Sequence, residues 1–146
     1  MKSIVVRSVM LKSELFQNLD IEIQLVPGLP TIQFLGLPSP ALRESALRIR
    51  SALRAAGYQL PRGRQILVDV RPREEKKQGR GLDLAVAIGY LILTEQVSSD
   101  LFTGACLYGD LGLNGDIMAP LDWERVRVLL NGALVTGVGP KSKGFR

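Results

Sequence analysis

A chain of 146 residues, 46% apolar and 23% charged, can enclose one core, and no apolar run in it is long enough to cross a bilayer. It has no histidine and a single cysteine, Cys106, which excludes Ser-His-Asp and Cys-His chemistry, histidine metal sites and internal disulfides. The net charge of +5 is uneven: residues 41–80 carry a net +7 and the rest −2, so one region either faces an anionic partner, most simply nucleic acid, or is a solvated basic face.

The opening MKSIVVRSVML carries Lys2 and Arg7 and lacks a small-residue cleavage site, so it reads as a strand over 4–11 and not as a secretory signal. A reducing cytoplasm fits the lone cysteine. Over 19–26 the pattern alternates, with Leu19, Ile21, Ile23 and Leu25 on one face and Asp20, Glu22 and Gln24 on the other, as in a strand with one buried side. VPGLP is a turn, and 31–35 is a third strand. These connections are too short for crossover helices, so the sheet is expected to be antiparallel here.

The stretch LPSPALRESALRIRSALRAAGYQLP reads as a helix with both ends written in. Ser39 is its N-cap, Pro40 its first residue, and Gly57 suits the left-handed position past its end. Leu42, Ala46, Ile49, Leu53 and Ala56 form the buried stripe, Arg43, Arg50 and Arg54 share a neighbouring face, and Glu44 is placed to pair with Arg48. A strand over 65–70 leads into a charged loop, 71–81, and Asp83 is expected to cap a helix over 84–94 that is apolar nearly all round. GACLYGDLGLNGDIMAP is a hairpin in which Asn114 and Gly115 are expected to form a type I′ turn, both at positive φ. LDWERVRVLL is a third helix with Asp122 as its cap, and ALVTGV is a last strand. One domain, 1–138, is expected, followed by a basic tail, 139–146, that begins a linker.

The glycines Gly79 and Gly81 before an apolar helix suggest a phosphate loop, but the lysine and hydroxyl that follow the second glycine of a Walker A motif are missing. Glu74, Glu75, Asp110, Asp116, Asp122 and Glu124 could supply only an oxygen-ligand metal site, and turn chemistry or neighbouring lysines account for the first four. No metal site and no cofactor is expected. Trp123 reads as a core or interface anchor.

Three stretches together carry a resemblance. GLPSPALRESALRIRSALRAAG, the segment KQGRGLDLAVA at 77–87 and the hairpin GDLGLNGDIMAP at 109–120 resemble the N-terminal domain of the ComM/YifB proteins, magnesium-chelatase-like AAA+ ATPases. That domain is similar to the proteolytic domain of Lon and to a domain of RadA. The fold so implied is α+β, a Lon-protease-domain-like arrangement shared with domain 2 of a small-subunit ribosomal protein, with a mixed sheet packed against helices. Lon-type peptidases place their serine in a glycine-flanked loop before a buried helix, here at or next to Gly81, and their lysine near Glu124. Neither group is present, so the resemblance implies a degenerate nucleophile loop, Gly79 and Gly81, and no enzyme.

The function implied is that of an accessory domain of a hexameric, cytoplasmic motor that remodels DNA by branch migration in recombination and natural transformation, with ATP and magnesium held by a separate AAA+ module. The basic band supplies the expected DNA contacts: Arg43, Arg50, Arg54, Arg71, Arg73, Lys76, Lys77 and Arg80. A Ser-Lys peptidase of the Lon type and a pure oligomerisation module are the alternatives. No membrane partner is expected.

Overall fold

The computed structural model describes residues 3–12, 15–36, 39–72, 81–130, 132 and 134–137. The alternating stretch becomes the longest strand, β2 (Leu15–Pro27), paired antiparallel with β1 (Ser3–Lys12) from Ser3↔Gln24 to Lys12↔Leu15. Leu19, Ile21, Ile23 and Leu25 are all buried, as the alternation requires.

The third strand, β3 (Ile32–Phe34), departs from the antiparallel expectation. It pairs in parallel with β4 (Arg64–Arg71), and β4 inserts between β3 and β2. The physical reason is the intervening helix α1 (Pro40–Ala55), which carries the chain back to the start of the sheet. After α2 (Leu82–Leu93) and a 3-10 turn at Ser99–Leu101 come β5 (Cys106–Leu107), a small hairpin of β6 (Asp110–Leu111) and β7 (Ile117–Met118), α3 (Trp123–Leu129) and β8 (Leu134–Val135). The main sheet runs β3-β4-β2-β1-β5-β8, with β5 and β8 parallel to β1. The architecture is mixed α+β, a mixed sheet packed against three helices.

Helix α1 begins as its sequence says, with Leu42 N–H donating to Ser39 Oγ at 3.3 Å. It ends in a Schellman pair, Tyr58 N–H to the Leu53 carbonyl at 3.0 Å and Gly57 N–H to the Arg54 carbonyl at 3.1 Å. Its buried face is Leu42, Ser45, Ile49, Ala52 and Leu53. Ala46 is half-buried, and Ala56, expected in the stripe, is exposed at the cap. The stripe turns towards Ser45 because α2 lies there and offers a polar partner. Helix α2 is buried from Leu82 to Leu91, and each of its large aliphatic side chains contributes about 1.5–3 kcal/mol by leaving water.

Alternation along β1 sends its side chains to two cores. Val6 and Met10 join α1 and α2 in the main cluster. Val9 and Leu11 point the other way and meet Cys106, Tyr108 and Val126 of α3 in a second, smaller cluster. Helix α3 therefore covers the reverse face of the sheet.

Candidate functional site: the start of helix α2 and the basic band

Gly81 is the N-cap of α2, at a left-handed φ of +78°. Its N–H donates to Asp110 Oδ1 at 2.7 Å. Gly109 N–H donates to the Gly81 carbonyl and Leu84 N–H to the Gly109 carbonyl, both at 3.0 Å. The place where a helix N-terminus would receive an anion is thus filled by a carboxylate of the chain itself. The space a side chain at position 81 would need is filled as well. A Cβ built there would collide with the edge of the Tyr108 ring. That ring is buried, and its hydroxyl donates to Asp122 at 2.6 Å. Asp122 stands at the start of α3 but makes no side-chain cap, contrary to expectation, because its carboxylate is engaged by Tyr108. Glu124, at the place the resemblance assigns to a lysine, is exposed on α3. Gly79 lies outside the described residues.

One residue into the helix, Asp83 is 0% exposed and does not cap it. It instead accepts from Ser45 Oγ and, at 3.0 Å, from Leu111 N–H. Arg48 donates to it through Nε at 2.9 Å and Nη2 at 3.3 Å. Arg48 is therefore not spent on the expected Glu44 pair, because a buried carboxylate in low dielectric outcompetes a solvated one. The hydrogen bond to Asp83 raises the guanidinium pKa further, against the pull of burial. This buried knot joins α1, α2 and β6 and fixes the start of α2.

The hairpin differs from the expected two-residue turn. Gly112 N–H donates to the Asp116 carbonyl at 2.9 Å and Gly115 N–H to the Gly112 carbonyl at 3.0 Å, so residues 113–115 form the loop. Gly115 has a φ of +96°, but Asn114 does not share it: Glu95 is the one non-glycine residue at positive φ among those described. Asn114 instead braces Asp116, accepting from its N–H at 3.1 Å and donating to its carboxylate at 3.0 Å.

The basic band divides. Arg43 and Arg50 line a groove of about 370 Å³ between α1 and β3, with Ile32, Phe34, Ala46 and Leu47. Arg54 is exposed in the last turn of α1. Arg71 is exposed at the far end of β4 and holds Glu22 across the sheet at 3.2 Å. Arg73, Lys76, Lys77 and Arg80 lie outside the described residues. Two arginines that no motif singled out, Arg62 and Arg64, line a cavity of about 550 Å³ with Leu25, Tyr90 and Thr94. Sequence reasoning also missed Tyr108 and Ser45, whose roles depend on partners far along the chain. Among the described residues no group of three or more His, Cys, Asp or Glu could hold a metal ion, and no helix is long and apolar enough to cross a membrane.

Residues 21–126, from within β2 into α3, match the family of subunit ChlI of Mg-chelatase. The chain belongs to this ChlI family, in its ComM/YifB branch. It is 32% identical over 97 residues to the protein YifB of Escherichia coli, and equally to the competence protein ComM of Haemophilus influenzae. It is also 32% identical over 98 residues to the protein Mb2921c of Mycobacterium bovis. The YifB and ComM matches cover 66% of this chain and 19% of each relative, so the chain spans about a fifth of the length of these family members. The family match contains Gly81, Asp83, Tyr108 and Asp122, the residues that shape the start of α2.

Proposed function

We propose that the chain is a non-catalytic accessory domain, of Lon-protease-domain-like fold, of a ComM/YifB-type AAA+ ATPase that remodels DNA. The observation that carries the reading is the ring of Tyr108 in the side-chain space of position 81, with the Gly81 N–H closed off by Asp110. A peptidase of the Lon type needs a serine in that loop; position 81 holds a glycine, and the Tyr108 ring occupies the space a side chain there would need. What remains for the domain is binding and assembly: contact with DNA through the basic band, and contact with its own AAA+ module in a hexameric ring in the cytoplasm. ATP and magnesium belong to that module and to no residue of this chain.

The DNA contacts proposed are Arg43, Arg50 and Arg54 on α1, Arg71 at the end of β4, and Arg73, Lys76, Lys77 and Arg80 in the loop that follows. The contribution of Arg71 is reduced, because Glu22 already neutralises part of its charge. Each phosphate contact releases counterions, so affinity for duplex or single strands falls with salt by about 0.9 or 0.7 log units, respectively, per log unit of salt and contact. A salt titration of wild type beside Lys76→Glu/Lys77→Glu/Arg80→Glu tests this. A shallower slope in the variant is expected. Equal slopes, or no binding at low salt by either protein, would remove the loop from the DNA path. Labelling of any serine by a fluorophosphonate probe would restore the peptidase alternative.

A further inference from the structure

Strand β3 is the outermost strand on its side of the sheet and pairs with β4 alone among the described residues. Ile66 N–H donates to the Thr31 carbonyl and Leu35 N–H donates to the Val68 carbonyl, both at 2.8 Å. Peptide groups alternate in direction along a strand, so those of Thr31, Gln33 and Leu35 face β4. Those of Ile32 and Phe34 face the outer edge. Along that edge runs the groove whose other wall is Arg43, Ala46, Leu47 and Arg50 of α1. The two arginines are separated by about 10.5 Å along the helix axis, with Ala46 and Leu47 between them. Leu47 is 69% exposed, and Leu29 and Leu35, at either end of β3, are 76% and 49% exposed. An edge strand bordered by three exposed leucines is what soluble domains blunt unless something binds there.

We propose that this groove binds an extended acidic segment of a partner protein, added to β3 as a further strand. Side chains on one face of such a segment recur every second residue, about 6.6 Å apart. Two carboxylates four residues apart therefore span about 13 Å and bracket the arginine pair, and an apolar side chain midway between them meets Leu47. The pattern recognised is acid-x-apolar-x-acid. The ladder along Ile32 and Phe34 supplies affinity, and the guanidinium forks select carboxylates. The carbonyls of Ile32 and Phe34 need donors, which a peptide backbone has and a phosphate backbone lacks. Leu47 likewise has no use for a phosphate. This inference goes beyond the DNA reading: a bound acidic segment takes Arg43 and Arg50 out of the DNA path and leaves Arg54, Arg71 and the loop residues to it.

The probe is acetyl-Thr-Glu-Thr-Leu-Thr-Glu-Thr-amide, titrated into isotope-labelled protein and followed by NMR. The same peptide with lysine for both glutamates, and a thymidine oligonucleotide, are run beside it. The acidic peptide is expected to shift the amides of Ile32 and Phe34 and slow their hydrogen exchange. Arg43→Glu/Arg50→Glu and, separately, Leu47→Asp should weaken binding about tenfold or more, with a thermal melt of each variant showing that it remains folded. Equal binding of the lysine peptide overturns the proposal, as do shifts without protection at Ile32 and Phe34. So does protection of those amides by the oligonucleotide where the acidic peptide gives none. A dimer that Leu47→Asp dissociates, in a protein that ignores the peptide, would give the edge to a second copy and also overturn it.

Discussion

Tyr108 and Gly81 depend on each other: the ring fills the volume beside the glycine, and the glycine leaves room for the ring. Gly81→Ser meets two costs, about 1–2 kcal/mol for a left-handed L-residue and about 1–3 kcal/mol for overpacking against a buried ring. A loss of about 2–5 kcal/mol in urea unfolding is expected, with no peptidase turnover gained. Turnover in this variant would show that the ring yields. Cys106 makes a second case at the level of single residues. Burial raises its thiol pKa from 9.0 to about 11, partly opposed by Arg7. The folded state holds that proton more tightly than the unfolded state does. The stabilisation is therefore complete below pH 9.0 and lost as pH rises through about 11. A thiol reagent at about pH 8 should leave the native protein unlabelled and react once it is denatured. Cys106→Ala should flatten the fall of melting temperature across the alkaline range. Fast labelling of the native protein would contradict the buried placement.

Elements whose signals are local were legible in advance, and those fixed by distant partners were not. Ser39, Pro40 and Gly57 mark the ends of α1 because capping involves neighbours along the chain. The partner of Arg48 is 35 residues away, beyond the reach of any i+4 rule. Asp83 looked like a cap for the same reason: the sequence shows an acid before a helix, but not the serine, the arginine and the backbone N–H that surround it. Arg48→Met would leave that carboxylate buried without its cation. A loss of about 3 kcal/mol is expected, at the lower end for broken buried pairs because Arg48 is partly exposed. A change of only a few tenths of a kcal/mol in the free energy of urea unfolding would mean that Ser45 and Leu111 suffice. In the hairpin the glycine was readable and its asparagine was not, since a three-residue loop and a two-residue loop place Asn-Gly similarly in sequence. Gly115 also packs on α1, where a Cβ would lie 3.4 Å from the Ala52 carbonyl oxygen. Gly115→Val should cost about 1–3 kcal/mol in thermal or urea unfolding. An unchanged midpoint would mean that the loop rearranges freely.

On the scale of the whole molecule, the succession of the three helices and of the strands before α2 followed from hydrophobic period, but the sheet order did not, nor did the split of the expected hairpin into β5, which joins the main sheet beside β1, and the small pair β6-β7. Nothing in residues 31–35 says that β4 will separate β3 from β2, because strand pairing across a helix is decided by how α1 and α2 share one face. The placement of α3 on the reverse face follows from Val9 and Leu11, whose alternation gives them a core of their own. Of the candidate site, the glycine at 81 and the cationic stretch were visible in sequence. What fills the space beside that glycine was not, since Tyr108 is an ordinary aromatic just past a strand until the fold brings it beside Gly81.

The Tyr108 ring also constrains lineage. A domain holds about 5–15 kcal/mol in all. A side chain gained at 81 with the ring in place costs about 2–5 kcal/mol of it. Loss of the ring with glycine in place opens a cavity at about 3–5 kcal/mol. Each single step from the present pair runs downhill, and the compensated state lies two substitutions away. The pair acts as a ratchet: a side chain at 81 is accommodated without that loss only when the ring is exchanged along with the glycine.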